Sequence, residues 1–194
     1  MLDKARVEEI LIDADVLLNG HFILTSGKHS DKYMQCAKIL QYPHYAQALC
    51  AGLAEEFKND RIDAVIAPAI GGIIIGYEIA RQLGAKNLFA ERENDVMTLR
   101  RGFTLEKGAR VLVAEDVVTT GGSVFDVMQC VRDNGGEVAG VALLVDRSNG
   151  KVDFGVKTAV VYTADVVSYD AADCPLCKEG KQEAYKPGSR KTVS

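Results

Sequence analysis

The sequence predicts an α/β protein with a mostly parallel central sheet flanked by helices. Three observations lead there. Short apolar runs of strand length, at residues 64–67, 87–90, 110–114 and 138–145, alternate with stretches of helical periodicity. Glycine pairs stand at positions 71–72 and 121–122, where a strand gives way to a helix. The chain has 194 residues, 47 % hydrophobic and 26 % charged, which suits one domain that buries its core without disulfide or metal staples.

In order along the chain, Val7, Ile10, Leu11, Ala14, Leu17 and Leu18 recur at i, i+3, i+4 spacing, so a helix is expected over the first twenty residues, ended by Gly20. The polar stretch 25–32 between apolar residues reads as a turn between short strands. A helix starts near Pro43 and runs to Phe57. The run 64–67 is a buried strand. Residues 74–83 form a helix closed by Gly84. The run 87–90 is the next strand, followed by a charged segment, 91–103. The strand at 110–114 ends on Glu115 and Asp116. A turn over 119–123 opens a helix to Asn134, residues 138–145 form a strand, and 160–161 mark a last one.

Composition excludes several classes. The formal net charge of -4 gives no overall field toward nucleic acid or anionic membranes. The most apolar stretch, 65–77, is interrupted by Pro68 and a glycine pair, so no membrane span is expected. The N-terminus lacks a signal-peptide core, and five scattered cysteines do not form an extracellular disulfide framework, so the expected address is the cytosol. Cys174 and Cys177 make a lone Cys-x-x-Cys. No second cysteine pair at metal spacing accompanies it, which argues weakly for a zinc site within one chain and leaves redox pairing or a metal shared across a dimer open. His21, His29 and His44 are isolated in sequence, and only His29 falls in a motif.

In sheets of this kind ligands bind beyond the carboxyl ends of the strands. Four segments leave such ends: 68–72, 91–102, 115–123 and 146–147. The third carries the clearest chemistry. Gly121 and Gly122 let backbone approach an anion, and the N–H groups of a helix start cradle phosphate. Thr119, Thr120 and Ser123 add hydroxyl donors. The paired carboxylates Glu115 and Asp116 would repel that phosphate, and they make sense against a ligand that also carries neighbouring hydroxyls, as ribose does.

The run Val111-Leu-Val-Ala-Glu-Asp-Val-Val-Thr-Thr-Gly-Gly-Ser123 resembles the signature of the type I phosphoribosyltransferases, with Ala114 where a larger apolar residue is usual. These enzymes use 5-phosphoribosyl 1-diphosphate (PRPP) as donor. Further segments resemble the orotate phosphoribosyltransferases within that family. They are Phe22-Ile-Leu-Thr-Ser-Gly-Lys-His-Ser30, Pro68-Ala-Ile-Gly-Gly-Ile-Ile-Ile-Gly-Tyr-Glu-Ile-Ala80, residues 141–147 ending on Asp146 and Arg147, and the tail motifs 174–177 and 186–190. The resemblance covers nearly the whole chain.

It implies a type I phosphoribosyltransferase fold with a hood element at about 1–40, a core at about 41–170 and a tail at about 171–194. The activity implied is transfer of the phosphoribosyl group of PRPP to orotate, giving orotidine 5′-monophosphate and diphosphate in pyrimidine (UMP) synthesis. Glu115 and Asp116 would bind the ribose hydroxyls, and residues Val117, Val118, Thr119, Thr120, Gly121, Gly122 and Ser123 the 5-phosphate. Ala69, Ile70 and Gly71 would bind the diphosphate, with Arg92 as a catalytic cation. Thr119, Arg147, Lys28 and Tyr33 would face orotate. Met34 departs from an aromatic pattern there. Mg²⁺ is the implied cofactor, held through diphosphate and ribose hydroxyls, with Asp116 reaching it through water and no protein ligand direct.

The resemblance also implies a homodimer in which a mobile loop over 91–102 serves the neighbouring site. This loop lacks the lysines and histidine many members carry there; its cations are Arg92, Arg100 and Arg101, and a plain β-hairpin with alternating charges is the alternative. Gly71 stands where some relatives have lysine. The competing functions are a purine or other base phosphoribosyltransferase, and a nucleic-acid-binding regulator with the same fold. Expected partners are the small-molecule substrates, with neither nucleic acid nor membrane.

Overall fold

A computed structural model of the chain describes residues 2–24, 27–164 and 167–187. Its centre is a six-stranded sheet of order β5-β4-β3-β6-β7-β8. The strands are β3 (Ala64–Pro68), β4 (Lys86–Glu93), β5 (Val96–Leu99), β6 (Arg110–Val118), β7 (Glu137–Asp146) and β8 (Thr158–Thr163). All neighbours run parallel except β4 and β5, which form an antiparallel hairpin.

The alternation of side chains across the sheet divides the core into two layers. Val65, Ala67, Leu112, Ala114, Ala142 and Leu144 face one side. There they meet α1 (Lys4–Asp13), α2 (Pro43–Phe57) and α3 (Gly72–Leu83). Ala64, Ile66, Val111, Val113, Val141 and Leu143 face the other, against α4 (Gly122–Asp133). Burial on both faces explains why β3 and β6 read as unbroken apolar runs rather than as alternating ones. At Gly140 even a β-carbon would lie 2.5 Å from the Phe57 ring, so glycine there lets α2 come down on β7.

The N-terminal expectation needs correction. Helix α1 is capped by the Asp3 side chain, which accepts from the Arg6 N–H at 2.8 Å, and it ends at Asp13. Asp15 takes a left-handed φ of 51°, which stops the helix. Leu17 and Leu18 keep the helical spacing in sequence but lie in β1 (Leu17–Ile23), which pairs antiparallel with β2 (His29–Met34). Gly20 sits inside that strand, at a break in register, and does not end a helix.

This two-stranded hood is completed by the C-terminal segment. Tyr169 exchanges both backbone hydrogen bonds with His29 at 2.8 Å, and Tyr185 bonds to His21 O and Ile23 N at 2.8 Å. Ser30, fully buried, donates to Val167 O at 2.8 Å. A five-residue helix, α5 (Pro175–Glu179), then places Cys174 and Cys177 beside His21 and His29. The histidines, isolated in sequence, are therefore neighbours in the fold. Among the described residues no helix is long and apolar enough to cross a membrane.

Candidate active site

The four strand-end segments converge at the carboxyl edge of the sheet. β6 runs on through Glu115 and Asp116 to Val118, longer than the apolar run suggested. Its end and the start of α4 enclose a cavity of ≈ 70 Å³ lined by Glu115, residues 117–121 and the first residues of α4. Thr119, Thr120, Gly122 and Ser123 are exposed at its mouth. Gly121 has φ 82°, and a β-carbon there would lie 2.8 Å from Val152 Cγ1, so both conformation and space require glycine.

The acid pair is buried: Glu115 is 6 % exposed and Asp116 9 %. The Asp116 N–H donates to Glu115 Oε1 at 3.1 Å and the Val117 N–H to Asp116 Oδ1 at 2.8 Å. Burial, reinforced by Asp116, pushes the Glu115 carboxyl up to about 8. The pair is thus short of hydrogen-bond donors and of positive charge, which a ligand with vicinal hydroxyls or a hydrated cation supplies.

The loop after β3 lies against this pair. A β-carbon at Gly71 would stand 2.6 Å from Asp116 Oδ2, and one at Gly72 would stand 3.2 Å from Glu115 Oε1. Gly71 caps the N-terminus of α3, and the exposed residues Ala69 and Ile70 lead into it. This backbone therefore presents a helix start beside the carboxylates, as expected for a segment that holds anions through N–H groups.

One strand further, the Arg147 N–H donates to Val118 O at 2.8 Å. Asp146, buried, accepts from Ser148 N at 2.7 Å and Gly150 N at 2.8 Å. It shapes the loop that carries Arg147, a role not drawn from the sequence, although an acid ending a buried strand before Ser-Asn-Gly is the usual signal for such a turn. Cys36 opens a 3-10 helix (Cys36–Gln41) below the hood. Burial pushes its thiol up to about 12, with Asp116 adding to the rise and Arg147 opposing it. The end of the hood hairpin therefore lies within the electrostatic reach of both residues.

The segment 91–102 is the hairpin alternative. β4 and β5 are joined by Asn94 and Asp95, with φ of 50° and 65°, the left-handed pair that a two-residue hairpin turn needs. All three arginines are matched with acids. Arg92 donates to Asp126 Oδ2 on α4 at 2.6 Å and to Asp95 O at 2.9 Å. Arg101 holds Glu91 with two bonds, at 2.7 and 2.9 Å, and Arg100 lies 3.4 Å from Glu93. The structure does not bring the Arg92 guanidinium onto the acid pair; Asp126, unmarked in the sequence, engages it.

In the hood, Lys28 lies 3.5 Å from Asp170 Oδ1, and Tyr33 stacks at 5.6 Å on Phe22 while its hydroxyl donates to Gln35. Ser26 and Arg190, part of the motifs quoted above, lie outside the described residues.

The chain is similar to known proteins over most of its length. The family model for the phosphoribosyl transferase domain matches residues 38–170. An orotate phosphoribosyltransferase of Pelotomaculum thermopropionicum is 62 % identical over 190 residues, 98 % of this chain and 100 % of the relative. One from Thermotoga maritima is 50 % identical, covering 95 % of this chain and 98 % of the relative. Among solved structures, orotate phosphoribosyltransferase from Aeropyrum pernix aligns with a TM-score of 0.66 at 29 % identity, over 81 % of this chain and 93 % of its own. An adenine phosphoribosyltransferase from Thermoanaerobacter pseudethanolicus reaches a TM-score of 0.65 at 18 % identity, over 81 % of this chain and 99 % of its own, a likeness of fold alone.

Proposed function

The chain belongs to the orotate phosphoribosyltransferase family, and from that premise we propose that it transfers the 5-phosphoribosyl group of PRPP to orotate, releasing diphosphate. The observation that carries the reading is the order of groups along one sheet edge. A helix start at Gly71 adjoins a buried acid pair; the acid pair adjoins a cavity lined by the backbone and hydroxyls of residues 117–123; and Arg147 is hydrogen-bonded to the end of the same strand.

The 5-phosphate enters the cavity at residues 119–123, held by backbone N–H groups and the hydroxyls of Thr119, Thr120 and Ser123. Glu115 and Asp116 accept the two ribose hydroxyls, which supply the donors the pair lacks. Ile70 and Gly71 offer backbone N–H groups to the diphosphate, while the Ala69 N–H is held by Ala90 O at 2.8 Å, so that Ala69 contributes by fixing the loop. The carboxyl groups of orotate and of the site are kept apart, since Arg147 takes the substrate carboxylate with its planar fork and Thr119 and Lys28 face the ring. As the bond from ribose C1 to the diphosphate oxygen breaks, positive charge grows on the sugar beside Asp116 and negative charge on the leaving group beside the α3 N-terminus and Arg92. The ring nitrogen of orotate then forms the new bond to C1, and its N–H proton passes to the departing diphosphate, whose oxygens have gained negative charge.

The all-oxygen donor set of acid pair and substrate suits Mg²⁺, which would be held through diphosphate and ribose hydroxyls with Asp116 reaching it through water. When bound it neutralises charge on the departing diphosphate. Arg92 reaches the diphosphate by exchanging Asp126 for it, in its own site or, in a homodimer, in the neighbour's. The cytosol is the setting that fits free thiols and these substrates.

The test is a panel of bases offered with PRPP and Mg²⁺. Orotate-dependent PRPP consumption, with hypoxanthine, guanine and adenine inert, is the expected outcome. Turnover of a purine in place of orotate would overturn the acceptor assignment and leave the donor site standing.

A further inference from the structure

We propose that His21, His29, Cys174 and Cys177 form a structural zinc site that joins the hood hairpin to the C-terminal segment. The four ligand atoms lie within 4.8 Å of one another. Cys174 Sγ and Cys177 Sγ are each 3.6 Å from His21 Nε2, and Cys177 Sγ is 3.3 Å from His29 Nδ1. Tetrahedral zinc, with Zn–S of about 2.3 Å and Zn–N of about 2.05 Å, places sulfur and nitrogen ligands about 3.6 Å apart and two nitrogens about 3.4 Å apart. The two sulfur contacts of His21 match that distance, and Cys177 Sγ to His29 Nδ1, at 3.3 Å, needs to open by about 0.3 Å. The two ring nitrogens, at 2.8 Å, need to separate by only about half an ångström.

Three further features favour a metal over a chance cluster. His21 Nδ1 lies 3.0 Å from Gln182 O, to which it donates as the Nδ1–H tautomer. That bond leaves the Nε2 lone pair facing the cluster, as ligating histidines are usually held by a carbonyl behind them. Cys174 is fully buried, and His21 and His29 are 5 % and 8 % exposed, so no solvent competes at three of the four ligands. Two thiolates also balance the charge of Zn²⁺, so the buried unit is neutral. The weak sequence case rested on the missing second cysteine pair. The fold supplies that pair as two histidines of adjacent strands, about 150 residues away.

With four protein ligands the site has no open position, so its role is structural and not catalytic. It ties β1 and β2, which carry Tyr33 and flank Lys28, to residues 174–182.

The full-length chain, expressed with zinc in the medium and purified without chelator, should contain about one zinc per chain by plasma mass spectrometry. That zinc should survive dialysis against excess Mg²⁺. Cys177→Ser, at the exposed ligand, should lower the content several-fold. Cys174→Ser could unfold the hood, so the wild-type chain loaded with Co²⁺ provides a second measurement. Intense visible d–d bands with thiolate charge transfer are expected, the mark of tetrahedral cobalt with sulfur ligands. Less than a tenth of an equivalent of zinc together with a featureless cobalt spectrum would overturn the site, as would a Cys174–Cys177 disulfide in freshly purified protein. These readouts do not involve PRPP, so a metal-free chain that turns over orotate would refute the zinc and not the enzyme.

Discussion

A β-carbon on Gly71 would stand 2.6 Å from Asp116 Oδ2. The loop after β3 thus rests on the acid pair with no room for a side chain. Gly71→Ala should lower kcat/KM for PRPP at least tenfold and lower Tm by several degrees, the effect of ~1–3 kcal/mol of overpacking. Steady-state kinetics and a melting scan check both. A variant with wild-type kinetics would show that this contact is unimportant for PRPP.

The Glu115 carboxyl, pushed up to about 8 from an ordinary 4.5, keeps its proton in the native chain over a range where the unfolded chain loses it. Stability of the ligand-free protein should therefore fall as pH rises from about 4.5 to about 8, by at most ~1.4 kcal/mol per unit from this one group. Glu115→Gln should flatten that slope and raise Tm at pH 8, while lowering turnover by a factor of ten or more. Chemical denaturation across pH, run on both proteins, measures the slope.

A consequence for ligand binding concerns the same proton. Ribose hydroxyls and a hydrated cation favour the ionised pair, so binding of PRPP with Mg²⁺ at pH 7 should release protons. Titration calorimetry in two buffers of different ionisation enthalpy reads their number, and Glu115→Gln should reduce it. Equal heats in both buffers would count against the mechanism.

Arg92 and Asp126 form a half-exposed pair, worth ~1 kcal/mol or less, which diphosphate can displace. Arg92→Ala should reduce turnover tenfold or more while Tm shifts by no more than about 3 °C. Asp126→Asn, which releases the guanidinium, should leave turnover near wild type or lower the KM for PRPP. If Arg92 serves the neighbouring subunit, mixing Arg92→Ala with Asp116→Asn protein should restore activity in hybrids.

If Arg147 takes the orotate carboxylate as proposed, Arg147→Ala should raise the KM for orotate by tenfold or more and that for PRPP much less; its backbone is fixed by Val118 O. Equal effects on the two constants would remove the assignment.

What was legible in the sequence was local in it. The run 111–123 holds strand, acids, glycines and helix start in one stretch, so its chemistry could be read before its geometry. The limits of α1 were not legible, because Leu17 and Leu18 continue the helical spacing of Val7, Ile10, Leu11 and Ala14; the left-handed Asp15 ends the helix before them. Nor could the partner of Arg92 be read, since Asp126 lies 34 residues away on another element. The meeting of His21 with Cys174 spans 153 residues and depends on how the C-terminal segment folds back along β1.

That return of the chain imposes an order on synthesis. The hairpin of residues 17–34 leaves the ribosome early, but the single bridging residues that border it, Tyr169 and Tyr185, are made last. The core sheet, complete by Thr163, can form while the hood still lacks its edges. A nascent chain can therefore hold the assembled sheet with its acid pair and glycine loops before the β1–β2 hairpin gains the segments that border it. A chain cut short before residue 169 should keep the six-stranded sheet and lose both bridges to the β1–β2 hairpin.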